Sequence, residues 1–278
     1  MNPITKFYVS CKGSDENCGS YQSKSFRTIQ KAIDAAYQII GDVQIIIADG
    51  KYTNTNAIAS GCRQGNLEII GNNTSPDKVV IDSGNDSNSA ATFWAVNGAN
   101  IAFSGVKICA STKNPPLLAS CIRSTYNGLV TIKGKVIFGK ASYAQILVGN
   151  GRVIINSGYD ISGSAQYHLF CSTSSSIATT ANKEMNVNIL ENLSYEKAFA
   201  CVQTLSVVNW RLPFILNGFT VSGIRHIISD AGCIAMNAIG SNKEITPDQF
   251  PGSENGKNIS GFFNGQIFGL NSTKKLWF

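Results

Sequence analysis

Cleavage of a glycosidic bond by acid–base chemistry takes two carboxylates about 5–10 Å apart. Between Ser87 and Ala181 this chain has one acid, Asp160. The same tract carries Lys107, Lys113, Arg123, Lys133, Lys135, Lys140 and Arg152, and its net charge equals the +6 of the whole 278-residue protein. A carboxylate pair on these middle residues is therefore not expected. The other acids lie at the ends of the tract. Asp82 and Asp86 flank a Ser-Gly-Asn turn, where such side chains ordinarily accept from neighbouring backbone N–H groups. Glu184, Glu191 and Glu196 follow near Lys183 and Lys197 and read as a solvated, charge-balanced loop. If the chain hydrolyses anything, Asp160, Glu191 and Glu196 are the catalytic candidates, on one chain or across a groove between subunits.

Other chemistries find less. His168 and His226 are the two histidines, each set among strand-forming residues. There is no GxSxG elbow, P-loop or HExxH motif. The eight cysteines form no CxxC pair and no Cys/His set of zinc spacing, so no metal site and no cofactor are expected. Cys109, Cys121, Cys171, Cys201 and Cys233 sit in or beside apolar bursts and read as small buried hydrophobes. Cys11 and Cys18 flank a polar loop, which leaves a disulfide or two free thiols open.

Cations spaced along successive turns of a repeating fold are expected either to align in a stripe that attracts polyanions or to serve solubility and edge protection. Lys133, Lys135 and Arg152 are the candidate ligand-binding cations. Tyr126 and Tyr143 are the candidate sugar-stacking rings, with Trp94 and Tyr195 behind them. The partner this implies is a surface polysaccharide or another polyanionic glycan. Nucleic acid is not expected, because no basic–aromatic interleaving or known binding motif occurs.

The elements that must position these residues are short. Val43–Ile47, Leu67–Gly71, Val79–Asp82, Asn100–Gly105, Val130–Gly134 and Arg152–Asn156 are apolar bursts closed by Gly, Asn or Ser turns. Strands so short are stable only when stacked, and a repeat of roughly twenty to twenty-five residues predicts a solenoid. Continuous runs such as Ile45-Ile46-Ile47 suit parallel strands. Ahead of them, Phe26, Ile29, Ile33, Ala36, Tyr37 and Ile40 recur at helical spacing after Ser25 as N-cap and before Gly41. A helix over 25–40 would close the open end of the stack. The organisation read from this is residues 1–42 as entry strand and capping helix, 43–240 as coils, and 241–278 as an aromatic-rich cap of the same domain. No apolar run of about eighteen residues predicts a membrane helix. The start lacks a basic and apolar leader, so synthesis in the cytoplasm without a signal peptide is expected.

The segment Phe7-Tyr8-Val9-Ser10, Gly13-Ser14-Asp15, Gly19 and Ser25 to Ala36, followed by Ala48-Asp49-Gly50-Lys51-Tyr52-Thr53, resembles the entry motif of the pectate-lyase-like β-helix superfamily. Tyr159 to Ala165, Phe219 to Gly223 and Phe250-Pro251-Gly252 are similar to the closing coils of small β-helix proteins of phages and prophages. Cys11, Cys18, Cys233 and the Leu276-Trp277-Phe278 tail depart from that pattern. The resemblance implies an all-β chain, a single-stranded right-handed parallel β-helix with an N-terminal capping α-helix. It implies a tail-fibre or tailspike-like component, homotrimeric and virion-associated, that binds cell-surface polysaccharide without catalysis. Because the superfamily also hosts enzymes and inert fibres, a polysaccharide lyase or glycoside hydrolase, and a purely structural module, remain as alternatives.

Overall fold

The structure, a computed structural model, describes residues 4–84, 90–112, 119–180, 185–236, 250–259 and 267–269. Residues 113–118 and 181–184, with Lys113, Lys183 and Glu184, and most of the expected aromatic-rich cap, including Phe262, Phe263 and 270–278, lie outside the described residues. Among these residues no helix is long and apolar enough to cross a membrane.

Three parallel sheets are built from strands that the chain lays down in rotation. Val43–Ile47 enters the first sheet, Gly50–Tyr52 the second and Ala57–Ser60 the third; Leu67–Ile70 then returns to the first. Every strand pairs in parallel with its counterpart one turn on, as Val130 does with Ile101 behind it and Val153 ahead. The first sheet reaches ten strands, the third eight and the second seven among the described residues. This is a right-handed parallel β-helix. Pairing continues past residue 240, since Lys257–Asn258 extends the third sheet and Ile267–Gly269 the first.

In-register stacking makes the core. Ile45, Ile69, Phe103, Ile132, Ile155 and Thr179 follow one another up a single inward column, and all are buried. Burial of each large aliphatic or aromatic side chain stabilises the fold by about 1.5–3 kcal/mol. The even repeat expected from the sequence is too short for several turns, because Glu68 faces Ala102 and Ser176 faces Val207. A solenoid tolerates this, because the strands keep their columns whatever the length of chain between them.

The capping helix is shorter than expected. It is α1, Ile29–Ala36, and its N-cap is Thr28, whose Oγ1 accepts from Lys31 N at 3.2 Å. Asp15 explains the shift. Its carboxylate accepts from Arg27 N and Thr28 N, both at 2.9 Å, and from Thr28 Oγ1, at 2.8 Å, which holds Arg27 and Thr28 outside the helix. Ser25 is buried in the preceding loop, and Phe26 bridges to Val9 instead of lying on the helix. At the other end Ile40 is 79% exposed. Arg63 terminates the helix by donating to Ala36 O, Ile39 O and Gly41 O at 2.9–3.2 Å. α1 buries Ile29, Ala32, Ile33 and Ala36 over the first coil.

The corner from the third sheet to the first is made of residues in the left-handed region. Asn97 and Gly98 form one such corner, with Tyr126–Asn127, Thr173–Ser174, Thr204–Leu205 and Asp230–Ala231 above it. Asn and Gly enter this region most cheaply. At the other corners, hydrogen bonds between successive turns hold the conformation, such as Ser174 N to Thr204 O at 2.8 Å and Leu205 N to Asp230 O at 3.0 Å.

Candidate functional site

The outer face of the third sheet carries an unusual column. Ile58, Trp94, Arg123, Leu147, Phe170, Cys201 and Ile227 are successive ladder partners. Neighbouring strands lie about 4.8 Å apart, so these side chains form a continuous apolar rail with one cation inside it. Trp94 is held by its indole nitrogen, which donates to Thr125 Oγ1 at 2.8 Å. The Arg123 guanidinium carbon stands 4.7 Å from the Trp94 ring centroid. Beside the rail, Tyr143 packs on Tyr167 at 5.5 Å and on Phe170 at 5.4 Å between ring centroids. Arg123, Leu147 and Phe170 of the rail and Tyr143 beside it bound an open groove of about 480 Å³, whose lining also includes Thr125 and Tyr126.

Charge in this groove is unbalanced. Arg123 is half-buried, and its Nε has no hydrogen-bond partner. Among the described residues the one ion pair is Lys133 Nζ to Glu68 Oε1 at 3.7 Å, elsewhere on the surface. Burial pulls the Arg123 pKa down, and Tyr126 and Tyr143 oppose that shift. An arginine keeps its proton at neutral pH all the same. Desolvating a cation without an anionic partner is costly. A bound anion would repay part of that cost. Burial also pushes the Tyr143 phenol up, so it stays a neutral donor and acceptor.

The residues anticipated from sequence are distributed over several faces. Tyr126 and Tyr143 meet in the groove. Lys133 is paired to Glu68, and Lys135 is exposed in the turn before Val136–Ala141. Arg152 opens a first-sheet strand, between Leu129 and Ser176 in the ladder. Neither Arg123 nor Lys107 stacks on another cation. Arg123 is flanked by Trp94 and Leu147, and Lys107 by Val80 and Ile137, so like charges do not sit opposite one another. Tyr195 is buried and is not a surface ring.

Among the acids, Asp82 and Asp160 lie apart. Asp160 lies in the second sheet and accepts from Asn188 Nδ2 at 2.8 Å. Asp82 accepts from Ser111 N at 2.8 Å and Ser111 Oγ at 2.6 Å. Their strands are three ladder steps apart, roughly 14 Å, which is beyond the reach of a carboxylate pair. Glu191 is exposed in a turn. Glu196 is exposed on a third-sheet strand near Tyr167, whose pKa is raised to about 12, first by burial and last by Glu196. Among the described residues no cluster of three or more His, Cys, Asp or Glu could hold a metal ion.

His168 belongs to the core. Its Nδ1 is 2.6 Å from Gln145 Oε1, and its Nε2 is 2.6 Å from the Tyr159 hydroxyl. Gln145 Nε2 donates to Gly139 O at 2.8 Å and Gly163 O at 2.7 Å, so its Oε1 must accept, from His168 and from the Tyr195 hydroxyl at 3.1 Å. One assignment satisfies every member: Nδ1 carries the proton and Nε2 accepts from Tyr159. Burial depresses the His168 pKa to about 3. The ring is a structural strut with no access to a ligand. Among the cysteines, Cys121, Cys171 and Cys201 are buried, whereas Cys109 and Cys233 are half-buried. Cys11 and Cys18 are free thiols: Cys11 lies against Gly50, and Cys18 takes its hydrogen bonds at Ser20.

Sequence reasoning named Tyr126, Tyr143 and Trp94 but did not bring Arg123, Leu147 and Phe170 together with them. The signal is the alignment of Phe93-Trp94-Ala95, Ile122-Arg123-Ser124, Ile146-Leu147-Val148 and Leu169-Phe170-Cys171 at their central residues. It becomes visible once the ladder register is known.

The sequence matches no protein-family model, and no curated protein matches it. Among solved structures, the chain is similar to a pectin methylesterase variant in complex with a hexasaccharide, at 13% identity over 94% of this chain and 92% of that one, with a TM-score of 0.49. It is also similar to a pectin methylesterase from carrot, at 12% identity over 96% of this chain and 84% of that one, with a TM-score of 0.38. The likeness is one of fold.

Proposed function

We propose that this chain is a polysaccharide-binding β-helix that acts without catalysis and holds an acidic glycan in the third-sheet groove. The carrying observation is Arg123, a half-buried cation stacked on Trp94 with no anionic partner among the described residues, facing a groove walled by Tyr143 and Phe170. Aromatic faces suit the apolar faces of sugar rings, and a guanidinium suits a carboxylate, sulfate or phosphate on them. The separation of Asp82 and Asp160 favours binding over hydrolysis.

The resemblance of the entry and closing segments extends the proposal to a phage or prophage tail-fibre-like protein, homotrimeric and carried on a particle, whose ligand is a cell-surface polysaccharide. A lyase reading would draw on a Lys or Arg base on the same face.

A glycan array probed with wild type and Arg123→Gln tests the proposal. Retention of acidic polysaccharides by wild type, their loss in the variant and no release of unsaturated sugar would support it. Ultraviolet-absorbing product that disappears in Arg123→Gln would establish the lyase instead. No retention of any glycan would leave a structural module.

A further inference from the structure

The groove ends at the corner between the third and first sheets, and a second concavity begins on the other side. That concavity measures about 410 Å³, and its lining includes Asn127, Asn150, Arg152, Ser174 and Ser176. Asn150 lines both hollows, while Arg123 lines only the first and Arg152 only the second. Asn150 is exposed and left-handed, with φ 55°. Tyr126, on the crest one turn below, is 63% exposed. Its φ is 49°, a region that bulky residues seldom occupy. Thr173 and Leu205 tolerate the same conformation on this crest. What sets Tyr126 apart is a large ring presented to solvent between two cationic hollows. Arg152 is exposed and, like Arg123, has no ion-pair partner among the described residues.

We propose that a single anionic polysaccharide chain crosses this corner, so that Arg123 and Arg152 bind acidic groups on different residues of one polymer and Tyr126 and Asn150 support the span. This rests on the binding reading of the groove and adds a direction and a minimum length to it. The polymer runs around the solenoid, across the corner, instead of along its axis. A monosaccharide reaches one arginine, whereas a longer oligosaccharide gains the second as an intramolecular contact, at high effective concentration.

The test uses the full chain and size-fractionated oligosaccharides of hyaluronate and polygalacturonate, titrated by calorimetry at two salt concentrations. With wild type, affinity is expected to rise about tenfold or more from disaccharide to long oligosaccharide. Arg152→Gln is expected to flatten that length dependence and to reduce the salt dependence of the long ligands. Arg123→Gln is expected to weaken ligands of every length. Circular dichroism and thermal melts identify a variant that has lost its fold, in which case Arg152→Lys and added salt replace it as the probe. Long oligosaccharides that bind Arg152→Gln as tightly as wild type would overturn the crossing and leave the groove reading standing. Binding that is indifferent to Arg123→Gln would overturn the groove reading, and failure of wild type to bind either polymer at any length would overturn both.

Discussion

The side-chain amide of Gln30 pairs with both backbone groups of Ile58: Oε1 accepts from Ile58 N at 2.7 Å, and Nε2 donates to Ile58 O at 3.1 Å. Ile58 lies in Ala57–Ser60, the strand that ends the third sheet. An open edge of this kind is a template for pairing with another chain. Here a glutamine from α1 takes the place of the missing neighbour.

Gln30→Ala leaves two partly buried backbone groups unpaired, each at a cost of about 1–3 kcal/mol. Urea melts are expected to show a loss in that range, and light scattering to show concentration-dependent association. Gln30→Glu is expected to fare worse, because a carboxylate in place of the amide cannot donate to Ile58 O. A variant as stable and as monodisperse as wild type would mean that the edge needs no such cover.

Arg63 performs the matching task at the C-terminal end of α1, where it also donates to Asn66 O at 2.7 Å. Hydrogen bonds from charged donors contribute about 1.5–3 kcal/mol. Arg63→Met keeps much of the aliphatic packing and removes the donors. It is expected to lower stability by about that amount in denaturant melts, with the first coil losing amide protection before the rest.

His168 gives the fold an acid-sensitive strut. Its pKa is about 3 when folded, against 6.5 when free, so the unfolded chain binds the extra proton in between. Its contribution is complete above pH 6.5 and is lost as pH falls towards 3. The slope is about 1.4 kcal/mol per pH unit in that window. Wild type minus His168→Gln, measured by chemical melts at several pH values, is expected to show this slope. A flat difference would place the ring in contact with solvent.

Trp94 positions Arg123 and lies beneath it, so its loss should weaken the ligand through the arginine. Trp94→Leu keeps an apolar rail but removes the cation–π contact, which contributes about 0.5–2 kcal/mol. Affinity for an acidic polysaccharide is expected to drop by a corresponding factor, with little change for its carboxyl-reduced form. Equal losses for both forms would assign Trp94 to direct sugar stacking.

The coils were legible because stacking repeats one demand at every turn: runs such as Val43–Ile47 and Arg152–Ile155 fill inward columns whatever the loops do. The ends were less so. Phe26 and Ile40 fit the helical period, yet Asp15, from a distant loop, and Arg63, from the next coil, decide where α1 starts and stops. The groove was half legible. Tyr126 and Tyr143 could be named as free rings, but Trp94, Arg123, Leu147 and Phe170 become neighbours only through ladder register, which loops of unequal length conceal. The partners of Lys133 and Tyr195, an acid two turns away and a buried glutamine, were hidden for a related reason.

The central claim is that Arg123 reads an acidic group on a glycan held in the third-sheet groove. The most direct measurement is the affinity of wild type and Arg123→Gln for one acidic polysaccharide and for its carboxyl-reduced form, with folding of both proteins checked by circular dichroism. The account predicts that wild type prefers the acidic form and that the preference disappears in Arg123→Gln. An undiminished preference in the folded variant would contradict it.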